Sequence, residues 1–222
     1  MESLINLMKK SIEKDNLKKE MCYIYIDSKN KCLCGGSPRA IFKIDYDCKG
    51  LPERGVIDVH NLEKNATPCG RLGGYNVYNC EDLKHWGYYP ELNRVFLKYE
   101  VKEKPSNIEI GEDGTETYKD KDGYVRIWEE IRELELDSGD IELFIIDVNC
   151  FLRSFNKNKK RYISFKFLKI FETVSTKNKE LEFKNLKIAG SDKLSPNIIS
   201  GKVITGGETL SFEYCVMARN YL

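Results

Sequence analysis

Residues 198–217 read IISGKVITGGETLSFEYCVM, and the class of the fold turns on them. Apolar and polar residues alternate on both sides of a glycine pair, the period-two pattern of strands with one buried face. A two-residue hairpin loop of the tight type needs positive φ at both positions, which glycine adopts without steric cost. The stretch therefore predicts a hairpin turning at Gly206-Gly207, with Leu210, Phe212, Tyr214 and Val216 sharing a face.

Upstream segments repeat the apolar pattern. IELFIIDVNCFL (141–152) predicts a strand burying Phe144, Ile146, Val148, Cys150 and Leu152, and YISFKFLKIF (162–171) another burying Ile163, Phe165, Phe167 and Phe171. RVFLKYEVKEK (94–104) alternates, with Val95, Leu97, Tyr99 and Val101 on one side. CYIYID (22–27), AIFKIDYD (40–47) and GVIDVH (55–60) are short extended segments, while VRIWEEIRELEL (125–136) fits helix at its start and strand at its end. Only residues 2–20 read as a clear helix, amphipathic, with Leu4, Met8 and Ile12 near helical spacing and Leu17 and Met21 less regular. The expected fold is α+β and mainly β: an N-terminal amphipathic helix, then antiparallel strands, with the C-terminal half a sandwich or partial barrel. Residues 1–104 would carry the helix, strands and an irregular aromatic loop at 61–92. Residues 105–123 would form an exposed excursion or boundary, and 124–222 a β-rich region, unless all belong to one continuous domain.

With 222 residues and 41% hydrophobic content the chain can bury a core, which argues against overall disorder. No apolar run approaches the roughly 18 residues that cross a bilayer, so no membrane association is expected. The start, with Glu2, Lys9 and Lys10 and no continuous apolar stretch, does not resemble a secretory signal. Eight cysteines then suggest reduced thiols in a cytoplasmic or other intracellular setting, with Cys22, Cys150 and Cys215 as small core residues. Charge is uneven along the chain. Residues 107–147 carry fourteen acidic and four basic side chains, whereas 148–188 carry eleven basic and three acidic. The two blocks either pair within one fold or favour head-to-tail association.

Three constellations could carry chemistry. LCGGSP (33–38) resembles the C-x-x-C-G-G turn of small zinc ribbons, although Cys32 and Cys34 are one residue apart and Cys48 stands alone. Buried thiols without metal are the expectation, with zinc on Cys32, Cys34 and Cys48 as the alternative. The order Asp58, then Glu100-Val101-Lys102, resembles the metal-binding core of PD-(D/E)xK nucleases over about residues 4–146. That resemblance implies two carboxylates holding a divalent ion such as magnesium and a lysine that positions the attacking water. Finally, the basic and aromatic block 151–187 offers Arg153, Lys157, Lys159, Lys160 and Arg161 for nucleic-acid phosphates.

None of these is favoured as a catalytic or metal site. No G-x-S-x-G, P-loop, H-E-x-x-H or G-x-G-x-x-G motif is present. The expected role is instead non-enzymatic: protein–protein contact or self-association as a structural subunit of a larger assembly, such as a viral or other multi-subunit particle. Tyr75, Tyr78, Trp86, Tyr88 and Tyr89 would be the interface anchors, since Tyr and Trp are enriched at binding hot spots.

Overall fold

A computed structural model describes residues 1–15, 18–83, 91–136, 141–155, 161–164, 166–171, 181–192, 196–217 and 219–220. Helix α1 (Glu2–Lys9) leads into a 3-10 turn at Lys19–Cys22. Six strands follow: β1 (Ile24–Asp27), β2 (Cys32–Ser37), β3 (Ala40–Asp45), β4 (Arg54–Ile57), β5 (Gly70–Leu72) and β6 (Tyr75–Asn79). The short helix α2 (Leu92–Val95) precedes β7 (Glu109–Ile110), β8 (Glu116–Lys119), β9 (Val125–Ile127) and β10 (Ile131–Leu136). Helix α3 (Ile141–Phe155), β11 (Arg161–Tyr162), a helical turn at 166–171, β12 (Leu181–Ser191), β13 (Asn197–Thr205), β14 (Glu208–Val216) and β15 (Arg219–Asn220) complete the order.

Ten strands form one antiparallel sheet in the order β10-β12-β13-β14-β3-β2-β1-β4-β6-β5. The sheet is open and does not close into a barrel. The decisive hairpin is present: Thr205 pairs with Glu208 across Gly206 (φ 55°) and Gly207 (φ 83°). Strand β14 then pairs with β3 from Phe212↔Ile44 to Val216↔Ala40, so a C-terminal strand lies beside an N-terminal one in the middle of the sheet. Small antiparallel sheets hold the remaining strands, in the order β7-β8-β9 and as the pair β11-β15.

One face of the large sheet carries the main core. Phe42 stacks on Phe212 at 5.2 Å between ring centres, Phe212 meets Phe183 at 5.1 Å, and Phe171 approaches Phe183 at 5.1 Å and Tyr214 at 5.7 Å. Helix α1 buries Leu4, Ile5, Leu7 and Met8 in the same cluster, and α3 adds Phe144, Val148, Phe151 and Leu152. The opposite face is covered only in part. A smaller cluster of Tyr23, Tyr25, Cys34, Ile41, Val56, Tyr78, Phe96, Ile198 and Cys215 covers the strands around β1, and charged side chains cover the rest.

Five expectations from the sequence are corrected. Residues 141–155 are helical, because Phe144, Val148, Phe151 and Leu152 recur at the three- and four-residue steps of one helix face. Ile146 is accordingly 54% exposed and Cys150 is exposed instead of forming part of the core. Residues 166–171 also form a helical turn, which buries Leu168, Ile170 and Phe171 and leaves Phe167 half-buried, while Phe165 lies outside the described residues. RVFLKYEVKEK is not a strand. It leaves α2 as irregular chain, tied down by Phe96 in the smaller cluster and by the Tyr99 hydroxyl, which donates to the Pro196 carbonyl. Nor is 61–92 wholly irregular. It contains the β5–β6 hairpin, turning at Gly73 (φ 54°) and Gly74 (φ 84°), which adds two strands to the sheet's edge. At Gly73 a Cβ would stand 2.8 Å from Ile5 Cγ1, so glycine lets α1 lie against that turn. The N-terminal helix itself ends at Lys9, short of the expected residue 20.

The helical assignment of 141–155 separates residues that a strand would place together. Ile146→Ser is expected to leave stability within about 0.5 kcal/mol. Leu152→Ala is expected to cost about 2–5 kcal/mol through lost burial and the cavity left behind. Urea unfolding of the two variants checks this, and equal costs would contradict the helix.

Candidate functional site

Asp58 follows β4 and is 1% exposed. Its carboxylate accepts the backbone N–H of His60 at 3.2 Å and of Glu63 at 2.8 Å. A buried carboxylate must be satisfied by donors, and here two amides of the following loop supply them. The Glu63 carboxylate accepts the Tyr23 hydroxyl, and the Glu63 carbonyl accepts the Tyr78 hydroxyl at 3.1 Å. Burial, and then the Glu63 carboxylate, push the Tyr23 phenol well above its ordinary range. These residues form a polar clasp that fixes the loop after β4 to the sheet.

Glu100 and Lys102 sit elsewhere, on exposed irregular chain, and pair with each other at 3.4 Å. Such an exposed pair is held by little energy. Among the described residues no group of three or more His, Cys, Asp or Glu side chains is arranged to hold a metal ion. A divalent ion therefore finds no ready site in Asp58, Glu100 and Lys102.

Cys32 and Cys34 alternate with Leu33 along β2 and are fully buried. The Cys48 thiol donates to the Cys32 carbonyl at 3.7 Å and to the Tyr46 carbonyl at 3.4 Å. Burial, and then Asp27, push the Cys32 thiol up to about 12, and burial also raises Cys48. Among the described residues these three cysteines do not come together as a ligand set for zinc. The glycines of LCGGSP serve packing instead: at Gly36 a Cβ would meet the Ala40 carbonyl oxygen at 2.2 Å.

The aromatic anchors divide. Tyr78 is buried in the smaller cluster. Tyr75 is half-buried and donates to Asn6 Oδ1 at 2.8 Å, with the Lys9 ammonium 5.1 Å above its ring, so it fastens α1 to β6. Trp86, Tyr88 and Tyr89 lie outside the described residues, as do Lys157, Lys159 and Lys160. Arg153 is exposed on α3, and Arg161 belongs to β11, paired with Asn220. The acidic and basic blocks meet within the fold at the β10–β12 pair, where Lys187 lies 3.0 Å from Glu133 and 3.9 Å from Glu135.

The surface feature that the sequence reading did not single out is the small sheet β7-β8-β9. Ile110, Tyr124, Val125 and Ile127, together with Val101 before it, are each between 64% and 70% exposed. Val125 and Ile127 share one face of β9, and the face of Tyr124 and Ile110 is ordered by Trp128, which is buried and meets Tyr118 edge-on at 6.1 Å. A signal was present in the Asp122-Gly123 pair, a hairpin turn type, directly before Tyr124-Val125-Arg126-Ile127. No known protein family, curated protein or solved structure matches this chain. No helix among the described residues is long and apolar enough to cross a membrane.

His60 supplies a test of the clasp. Burial, and then the nearby Lys9 ammonium, lower its pKa below the ordinary 6.5, with Lys14 acting the same way and Asp58 opposing. Its Nε2 is buried with no hydrogen-bond partner among the described residues. A folded-state pKa below the unfolded one means that the neutral form stabilises the fold. That stability is complete above about pH 6.5 and is lost as the pH falls below it, when the unfolded chain takes up the proton first. Melting temperatures measured from pH 7.5 to 5 are expected to fall below that point in the wild type and to fall less in His60→Gln. Identical slopes would show that His60 does not titrate as described.

Proposed function

We propose that the chain is a non-enzymatic structural subunit that works through protein–protein contact. The observation that carries this reading is the pair of exposed apolar side chains that share one face of β9, Val125 and Ile127. Scattered exposed apolar residues need no explanation, whereas neighbouring ones on a single exposed strand face suit a contact surface. The large sheet supports the reading from the other side. Its buried polar groups, such as Asp58, are committed to holding loops, and among the described residues its cysteines form no ligand set. The interface is thereby moved from Tyr75 and Tyr78, whose hydroxyls have partners within the fold, to residues 101–127.

Native mass spectrometry of the untagged, reduced protein is the direct test. Species heavier than the 25.8 kDa monomer are expected, either multiples of it or complexes with a co-purifying chain. A bare monomer at every concentration, with no retained partner, would overturn the proposal.

A further inference from the structure

A cleft lies where the chain just after α1 faces the helical turn at 166–171. Its base is apolar: Ile170 and Tyr214 are buried and Phe167 is half-buried. Its rim is charged, with the exposed side chains of Lys10 and Glu13 on one side and Lys166 and Lys169 on the other. Three ammonium groups thus stand against one carboxylate, in a chain whose overall charge is only +1. A cleft with apolar walls and charge mainly of one sign focuses the field and raises the local concentration of small anions.

Both walls are fixed by contacts that a ligand need not disturb. The Ser11 hydroxyl donates to the Met8 carbonyl at 2.7 Å. Ile12 beside it packs so closely on β2 that a Cβ at Gly35 would stand 2.9 Å from Ile12 Cδ1. Across the cleft the Tyr214 hydroxyl donates to the Phe167 carbonyl at 3.2 Å, which seats the helical turn on the sheet. Lys166 Nζ and Glu13 Oε1, 3.0 Å apart, join the two rims. Walls built in advance lower the ordering cost of binding. Lysine stems commonly lie over apolar surface and hide it. Here they leave about 140 Å³ between them, close to the roughly 150 Å³ of a cavity that admits benzene.

We infer that this cleft binds a small phosphate monoester whose apolar part is about the size of a single ring, an inference independent of the assembly reading. The ring rests on Phe167, Ile170 and Tyr214, and the phosphate meets the ammonium groups of Lys10 and Lys169. The residue type favours phosphate over carboxylate. Lysine acts as a point charge toward phosphate oxygens, whereas a planar carboxylate is best matched by the arginine fork. No arginine is among the described residues that line the cleft. Each ammonium group carries three donors, so a lysine that already has one partner within the fold keeps others for a phosphate oxygen.

Titration of the isotope-labelled protein with phenyl phosphate, followed through amide NMR shifts, tests this beside inorganic phosphate, benzoate and benzyl alcohol. Phenyl phosphate is expected to give saturable shifts that cluster at residues 10–13 and 166–171. Benzyl alcohol lacks the charge and inorganic phosphate lacks the ring, so each is expected to bind at least about tenfold more weakly. The double variant Lys10→Gln, Lys169→Gln is expected to lose about tenfold in affinity for phenyl phosphate. Its melting temperature is expected to be unchanged, because both side chains are exposed. Absence of shifts at the cleft would overturn the inference, as would equal binding by the double variant. Inorganic phosphate binding as tightly as phenyl phosphate would overturn the ring-sized body, and benzoate binding more tightly would overturn the phosphate head.

Discussion

The aromatic layer at the junction of β3 and β14 is the contact on which the rest of the structure depends. Phe42 and Phe212 stack across strands about 170 residues apart in sequence, and Tyr214, Phe171 and Phe183 close around them. Joining such distant strands carries a loop-closure cost, which large buried rings offset better than any other side chains. Without this layer, β1–β6 and the set β10, β12, β13 and β14 would be two smaller sheets with four exposed edges. With it, they become one sheet that both α1 and α3 can cover.

The same ladder divides the opposite face. Tyr78, Val56, Tyr25, Cys34, Lys43, Glu213, Ser200, Lys187 and Glu135 are successive cross-strand neighbours from β6 to β10. The row is apolar or aromatic as far as Cys34 and becomes charged or polar from Lys43 onward. That change falls where cover ends. The loop after β4 and the chain around Phe96 shield the first half, and Lys43 bridges the boundary with its amine 2.7 Å from Glu213 and 5.6 Å from the Phe96 ring centre. The opposite charges of residues 107–147 and 148–188 are thus partly spent on cross-strand pairing at β10–β12.

Where a signal lay in a short local pattern, the sequence was readable. Gly206-Gly207 announces its turn because only two residues decide it. The identical pair at Gly73-Gly74 sits among polar residues and aromatics without long alternating flanks, and so it read as loop. In α3 the stretch IELFIIDV is apolar at most positions, which satisfies both a period of two and a period of 3.6, so the pattern alone does not separate helix from strand. Its exposed Leu143 and Ile146 break the helical pattern that Phe144, Val148 and Phe151 obey. For residues 94–104 the alternation was real but lacked a partner strand; a strand is stable only in a ladder, and propensity alone did not provide one.

The candidate chemistry failed to converge for a related reason. Sequence order can bring Asp58 before Glu100 and Lys102, but a metal site requires the three side chains to converge on one point, and that depends on the strands between them. The chain from Arg94 to Lys104 joins no sheet, so nothing carries Glu100 toward the buried end of β4. Asp58 meanwhile meets its need for donors locally, two and five residues ahead. With Oδ1 and Oδ2 each accepting one of those amides, and no group of three ligating side chains formed among the described residues, Asp58 serves to hold the loop after β4.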